Sequence, residues 1–450
     1  QHFIKINDRV NLATTWYNMG NTCVQLFDFE DANRFYTQAR EIFDEHDYLL
    51  NSTDCLYGLA WLHLLEGNFH IALHELAECE LHYCETKQIR EVILCQLDRA
   101  EAYLGLNLFL DAREAAEQAG RGASKLGIVY ETAKAELFRG KALEALGRRA
   151  AARRAYRNAE TGFEKEKNSG FAAATRLAMA QTDSAELRRL ETIRAARQSF
   201  GRAQLPLWEA ICDLQILAVR PEEATAARRL ARNKAARMVP HMTAQYHTLL
   251  GDLEARKKNL AKAVTHWTHA ADILDGLRAK LPPLEMRSSF FSNRSEPHRR
   301  LIEATQDDNP REAAIWSERH KTAGLWSTSD DFYMSNPTRT RIQESLSELA
   351  KYFAAISKIR PDVEASRTAT APTPRGLRKL QREIHDQLVR LEQPSTGNQP
   401  GAGIHGLITR LSRQQTVVQF HMGDKDLLVF VHESGKTRAV KYTDGTRILN

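Results

Sequence analysis

Alanines 32, 72, 112 and 152 fall forty residues apart, and each sits in the same local pattern. Gly67-Asn68-Phe69-His70-Ile71-Ala72 opens one copy, which continues to Leu76 and Cys79. Asn107-Leu108-Phe109-Leu110-Asp111-Ala112 opens another, with Ala116 and Ala119 further on. Phe27, Phe29, Ala32, Tyr36 and Ala39 repeat it, as do Gly147, Ala152, Tyr156 and Ala159. A fixed period of this size marks a repeat architecture and excludes most other folds at once. The spacing within each copy is helical, because steps of three, four and seven keep residues on one face. The pattern therefore predicts helical hairpins. A small residue lets the chain reverse, an aromatic packs under the turn, and the alanine lets two helices approach. Each hairpin leaves an apolar face open and is expected to bury it on its neighbour.

The register returns later in the chain. Gly251, Lys258, Leu260, Ala263, Trp267 and Ala270 form a good copy, and Pro221, Ala224 and Ala231 a weaker one. Counting back thirty-nine residues from Ala224 places a degenerate copy at Ala185. About seven hairpins are expected over residues 9–278. The run Trp16, Met19, Gly20, Phe29, Ala32, Tyr36, Ala39 resembles the tetratricopeptide repeat in residue type and spacing. That resemblance implies a mainly α protein built on a right-handed α-solenoid. The period here is forty residues instead of about thirty-four, which implies helices roughly one turn longer.

The sequence has 450 residues, 42% hydrophobic and 27% charged, as in a globular protein with room for more than one domain. No stretch reaches the roughly 18 apolar residues of a membrane span, so a cytoplasmic protein without membrane partners is expected. The cysteines are 23, 55, 79, 84, 95 and 212, with no CxxC pair. They read as reduced, mostly core residues. His63, His70, His74, Cys79, His82 and Cys84 crowd one region, but there is no HExxH and no four-ligand spacing. No metal and no other cofactor are expected.

The net charge is +6, from 63 basic and 57 acidic residues. The basic residues are uneven. Arg139, Lys141, Arg148, Arg149, Arg153, Arg154 and Arg157 form one stripe, and Arg228, Arg229, Arg232, Lys234 and Arg237 another. Such stripes are either solvated helix faces or surfaces for an acidic protein segment or RNA. Arg149, Arg153, Arg157, Arg228 and Arg232 are the candidate partner-binding residues. Aromatics are not interleaved with them, so a base-stacking platform is not indicated.

After residue 280 the organisation changes. Leu281-Pro282-Pro283 ends the last long helix. Helices are expected over 284–305, 309–327, 338–360 and about 376–392. A Pro-, Ala- and Thr-rich loop is expected at 361–375, and a loose stretch at 394–403. Then three strands follow: Thr416–Met422, Leu427–His432 and Thr437–Tyr442, joined by short turns. Three strands do not bury a core alone, so the sheet is expected to continue in a further segment or a second chain. The expected divisions are 1–278 repeats, 279–360 helical connector, 361–410 loop-rich linker with one helix, and 411–450 the start of an α/β domain.

Ala313 to Leu325 (AAIWSERHKTAGL) and Thr416 to Val440, placed behind tetratricopeptide-like repeats, resemble the entry into a CHAT domain. CHAT domains are caspase-like cysteine peptidase domains carried behind such repeats in bacteria. The resemblance implies an opening sheet of an α/β caspase-like fold, with a His and Cys dyad further downstream. No cysteine follows Cys212, and His405, His421 and His432 stand at the wrong places, so no catalytic residue is expected here. It implies the regulatory and scaffold part of a peptidase, acting in a defence system. Its partners would be a protein in the solenoid groove, a sensor such as a CRISPR RNA-guided ribonucleoprotein, and the catalytic remainder of the CHAT domain. The alternative is a non-enzymatic adaptor whose strands complete a partner's sheet.

Overall fold

The computed structural model of the chain describes residues 8–182, 185–281, 284–322, 411, 415–422 and 426–443. Two units are distinguished: Gln1–Leu277 with Ser289–Pro297, and Arg278–Ser288 with His298–Asn450. The helices expected at 338–360 and 376–392, the linker stretches and His405 lie outside the described residues.

In the first unit the helices run α1 Arg9–Gln25, α2 Phe29–Glu45, α3 Leu49–Leu65, α4 Phe69–Glu85, α5 Ile89–Gly105, α6 Phe109–Lys125, α7 Val129–Ala145 and α8 Arg149–Lys165. Each has 17 residues, so the forty-residue period is two equal helices and two three-residue turns. The backbone repeats every twenty residues: positions 27, 47, 67, 87, 107, 127, 147 and 167 all have positive φ. At each turn the third residue past the helix sends its N–H back five residues, as in Asp28 to Cys23 (2.9 Å), Asn68 to His63 (2.8 Å) and Asn168 to Phe163 (2.8 Å). This is the Schellman ending, which satisfies the last helical carbonyls. Its left-handed residue is glycine at 67, 127 and 147 but Phe27, Asp47, Lys87, Asn107 and Lys167 elsewhere, so a small turn residue is not required.

Ala32, Ala72, Ala112 and Ala152 are fully buried on the second helix of each hairpin. The tightest helix crossing lies four residues on. There the second helix carries Tyr36, Tyr156 or Trp267, and the first helix carries glycine sixteen residues earlier, at 20, 140 and 251. A Cβ on Gly20 would stand 2.7 Å from the Tyr36 ring, and one on Gly140 2.5 Å from that of Tyr156. Where the equivalent second-helix residue is Leu76 or Ala116, the first helix has Ala60 or Ala100, all buried. In the fifth hairpin, whose first helix is shortened, the pair is Ala180 and Ile193, also buried. Between Gly140 with Tyr156 and Ala60 with Leu76 volume is exchanged across the crossing, whereas Ala100 with Ala116 leaves it smaller.

The array continues irregularly as α9 Ser169–Ala180, α10 Glu186–Arg202, α11 Pro206–Val219, α12 Ala224–Arg232, α13 Lys234–Met238, α14 Pro240–Arg256 and α15 Leu260–Ala279. With α12 and α13 taken together, these complete seven hairpins among the described residues. The irregular stretch corrects the sequence register. Ala185 is the N-cap of α10, and the repeat's core positions fall on Ile193, Ala196 and Phe200. Ala224 and Ala231 are exposed, whereas Ala226 and Leu230 are buried. Shortening α9 to 12 residues shifts the period, so counting by thirty-nine lands on the wrong residue.

Burial is not confined to neighbours. One continuous core joins Val24, Phe29, Tyr36, Leu59, Leu62 and Leu65 of the first two hairpins to Leu214, Leu217, Leu230, Ala236 and Met242 of the sixth and seventh. Leu277, near the end of α15, reaches Gly67 at the α3–α4 turn, where an added Cβ would be 2.8 Å away. The solenoid therefore closes on itself. Helices α3 and α11 are apolar nearly all round because they are covered on both sides, unlike a one-faced surface helix.

The second unit contains α16 Leu284–Phe291 in part, α17 Glu296–Thr305, α18 Pro310–Thr322, β1 Thr416–Met422, β2 Asp426–Glu433 and β3 Lys436–Thr443. The single helix expected over 284–305 is broken at residues 292–295, ahead of Pro297 in the first turn of α17. The strands form an antiparallel meander in the order β1-β2-β3. Ser434 and Gly435, both at positive φ, make the two-residue turn that suits a hairpin's twist. Leu427 to Phe430 in the central strand are buried in a row, so the sheet is apolar on both faces. One face carries Gln419, His421, Leu428, Phe430 and His432 and packs on α18. Gln419 Nε2 donates to the Ala314 carbonyl at 3.0 Å, and Lys321 Nζ to the Phe420 carbonyl. The other face has Val418, Phe420, Val440 and Tyr442, all exposed, with Phe420 at 56%.

Candidate partner-binding surfaces

The first helices of successive hairpins pack on one another, α1 on α3, α3 on α5 and α5 on α7, and the second helices do so less. Closer spacing on one side curves a stack, so the first-helix layer is the inner one. It carries a row of charged and hydroxyl groups set among close-packed neighbours. Tyr57 hydrogen-bonds Asp98, and Lys134 Nζ donates to the other oxygen of Asp98 at 3.1 Å. Arg90 Nε donates to Glu131 at 2.9 Å, and Tyr83 Oη to Asp54 at 2.7 Å. Burial pushes the Glu101 carboxyl up, against the pull of Lys134, and burial raises the Tyr57 phenol well above its ordinary value.

Lys141 differs from its neighbours. Its ammonium stands 5.6 Å from the Phe138 ring centre and 5.7 Å from that of Trp208. No described carboxylate lies within ion-pairing distance of it, and burial lowers its pKa. Trp208 belongs to an aromatic ladder that crosses the irregular hairpins. Tyr130 meets Phe163 and Phe171 at 5.8 and 5.5 Å, Phe171 meets Trp208 at 6.3 Å, and Trp208 stacks on Phe200 at 5.4 Å. These rings stand where the alanine pattern fades. Sequence reasoning missed them because they follow the helix ends instead of the alanine register, and it counted Lys141 only as one charge in a stripe.

The five candidate arginines lie elsewhere. Arg149, Arg153 and Arg157 occupy one exposed row of α8, a second helix, opposite its buried face of Ala152, Tyr156 and Ala159. Arg228 and Arg232 form a shorter exposed row on α12. The fifth hairpin separates the two rows in the chain. Arg153 is the one held in place: its Nε donates to Thr182 Oγ1 at 3.2 Å and its Nη2 to the Thr182 carbonyl at 3.0 Å. Other members of the sequence stripes have structural partners. Arg139 grips Glu136 at 2.6 Å, and Arg229 grips Asp213 at 2.5 Å alongside Arg197 at 2.9 Å.

Cys55, Cys79, Cys95 and Cys212 are buried, Cys23 is half-buried and Cys84 is exposed. Burial pushes the Cys55 and Cys212 thiols up to about 12. Within the histidine- and cysteine-rich region, His63 Nδ1 meets Glu75 at 2.7 Å, and His70 and His74 are buried. Among the described residues no cluster of such side chains has the geometry of a metal site. None of the described helices is long and apolar enough to cross a membrane.

Repeated hairpins, a shared left-handed turn and a curved first-helix layer define the larger unit as a helical-repeat solenoid. No protein-family model matches the chain, and no curated protein matches it. Among solved structures it is similar to the crystal structure of the apo form of RapI, with a TM-score of 0.44 and 13% identity, over 58% of this chain and 97% of that one.

Proposed function

We propose that the chain is a regulatory scaffold whose solenoid receives a segment of a protein partner. The observation that carries this is Lys141, a cation cradled by two aromatic rings on the inner helix layer, which Glu101 and Glu144 influence but with which no described carboxylate forms an ion pair. Such a group gains most when an incoming acidic side chain pairs with it, while the ring faces of Trp208 and Phe138 contribute apolar contact. The partner is therefore a protein segment with an acidic residue beside apolar ones.

The finer reading is that the scaffold controls a CHAT-type cysteine peptidase in a bacterial defence system, with the sensor, such as an RNA-guided ribonucleoprotein, presenting the segment. Two observations support it. The segments that resemble the CHAT entry, 313–325 and 416–440, are sequence-distant, yet α18 and the meander pack together in one unit. The meander is also apolar on both faces, as an interior sheet of an α/β domain is and a one-sided sheet is not. In this reading the nucleophile comes from outside the chain, since Cys212 is its last cysteine.

The test is expression together with the native downstream coding sequence, with peptidase activity assayed with and without the partner. Partner-dependent activity that becomes constitutive or is lost on deleting residues 1–278 is the expected result. Activity indifferent to that deletion refutes the regulatory role, and a downstream sequence without a His and a Cys refutes the peptidase. The exposed rows on α8 and α12 favour RNA as a second reading. It predicts a steep salt dependence of binding, lost on reversing the charge of Arg149 and Arg153.

A further inference from the structure

The solenoid carries a peptide on its turn edge. Ser289–Pro297 belongs to the first unit although it follows the last repeat helix in sequence. Its anchor is Phe290, 0% exposed, whose ring meets that of Phe69 at 6.2 Å. Phe69 opens α4 and itself lies under Gly105, where an added Cβ would be 2.5 Å from its ring. Beside it, Asn107 occupies the left-handed position of the α5–α6 turn. Its Nδ2 lies 2.9 Å from the Ser289 carbonyl, 3.3 Å from that of Phe290, and 2.9 Å from Asn293 Oδ1. Asn293 Nδ2 donates in return to Asn107 Oδ1 at 3.2 Å. Arg294 completes the contact: Nη2 donates to the Gly105 carbonyl at 2.9 Å and Nη1 to the Phe290 carbonyl at 2.7 Å, with the guanidinium 4.4 Å from the Phe290 ring centre.

These contacts have the character of recognition more than of core packing. One side-chain amide reads consecutive main-chain carbonyls, one aromatic ring fills a pocket, and Ser292 and Asn293 stay exposed. Arg294 is deeply placed with no described carboxylate in reach, and burial lowers its pKa to about 10. A guanidinium that gives up water for carbonyls alone is held less firmly than one with a counter-charge, so the segment can be exchanged at modest cost. Of the eight turns spaced by twenty residues, the one at Asn107 is seen using its side chain on a segment more than 180 residues away.

We propose that the edge formed by Phe69, Gly105 and Asn107 is a peptide-binding site, and that Ser289–Pro297 is its built-in occupant. The site takes a segment with an aromatic residue and an arginine four positions later, as Phe290 and Arg294 are spaced. A partner carrying that pair binds only by displacing the internal copy. The inference rests on the solenoid being a receiver of protein segments, but it concerns a different surface from Lys141.

The experiment uses the full chain and a fluorescein-labelled synthetic peptide of residues 287–298, read by fluorescence polarisation. In the wild type the tethered copy competes at high effective concentration, so binding is weak. In the chain with Phe290→Ala and Arg294→Ala the site is vacated, and the peptide binds at least about tenfold more tightly. Adding Asn107→Ala removes the gain, and a peptide with both alanine changes does not bind. Equal binding by wild type and vacated chain, or none by either, overturns the proposal. Should the double variant unfold, hydrogen exchange on the wild type decides. Millimolar peptide speeds exchange at 289–297 while leaving the α5–α6 turn protected if the site is shared, and an unchanged pattern refutes it. Lys141→Glu leaves peptide binding intact, so failure here and failure of the partner reading are separately visible.

Discussion

The Gly140–Tyr156 crossing offers a quantitative test of how the repeats pack. Gly140→Ala puts a Cβ 2.5 Å from the Tyr156 ring, which is fully buried and whose hydroxyl donates to Glu144 at 2.6 Å. The ring is pinned at both ends and yields little, so overpacking costs about 1–3 kcal/mol. Replacing glycine within a helix returns about 1 kcal/mol, leaving a net loss of about 0–2 kcal/mol. Tyr156→Leu alone opens a void and strands the Glu144 carboxyl, at about 2–3 kcal/mol. The double variant reproduces the Ala60 and Leu76 pair found at the same place in the second hairpin. The new methyl then fills part of the void, so the two losses do not add, and the coupling is about 1–3 kcal/mol in favour of the pair. Because a repeat array need not melt in one step, the assay is native-state hydrogen exchange on α7 and α8 instead of a global melt. Additivity within about 0.5 kcal/mol would refute the exchange of volume across the crossing.

Three further outcomes follow from the structure. Asp213→Asn leaves Arg229 and Arg197 without their shared charge and costs about 2–3 kcal/mol, seen as earlier urea unfolding of α10 to α12. Burial, together with His269 and His266, holds His247 down to about 4, and burial beside Arg294 does the same to His241. Both are neutral when folded, so their contribution is complete above pH 6.5 and is lost as pH falls from 6.5 towards 4, where the unfolded chain binds more protons. His247→Gln flattens that fall, measured as urea midpoint against pH. Finally, iodoacetamide at pH 7.5 modifies Cys84 first and Cys23 next. Cys55, Cys79, Cys95 and Cys212 react only on unfolding, and peptide mass spectrometry that finds Cys55 alkylated in the folded chain would contradict their burial.

Much of the solenoid is legible in the sequence because its cause is local. Seventeen-residue helices at a twenty-residue spacing place Ala32, Ala72, Ala112 and Ala152 at one crossing, and a period survives in the letters. The three strands are likewise legible, since β-branched runs and Ser434-Gly435 fix their ends. Where helix length drifts, as in α9 and α12, the period fails, and Ala185 was a miscount for that reason. The candidate surface was less legible. Arg149, Arg153, Arg157, Arg228 and Arg232 stand out by charge and are exposed, but the inner layer's Lys141 stands out only once Trp208, 67 residues away, is beside it.

What the sequence determined is each helix, each turn and the pairing of neighbours, because these depend on residues fewer than about forty positions apart. The tertiary structure decided the closure that joins the first hairpins to the sixth and seventh. It also decided the two-faced burial of α3 and α11, and the seating of Phe290 and Arg294 against Phe69 and Asn107. Closure depends on the sum of small rotations from hairpin to hairpin. No single residue encodes that sum, so the contacts it makes between residues some 180 positions apart appear only in three dimensions.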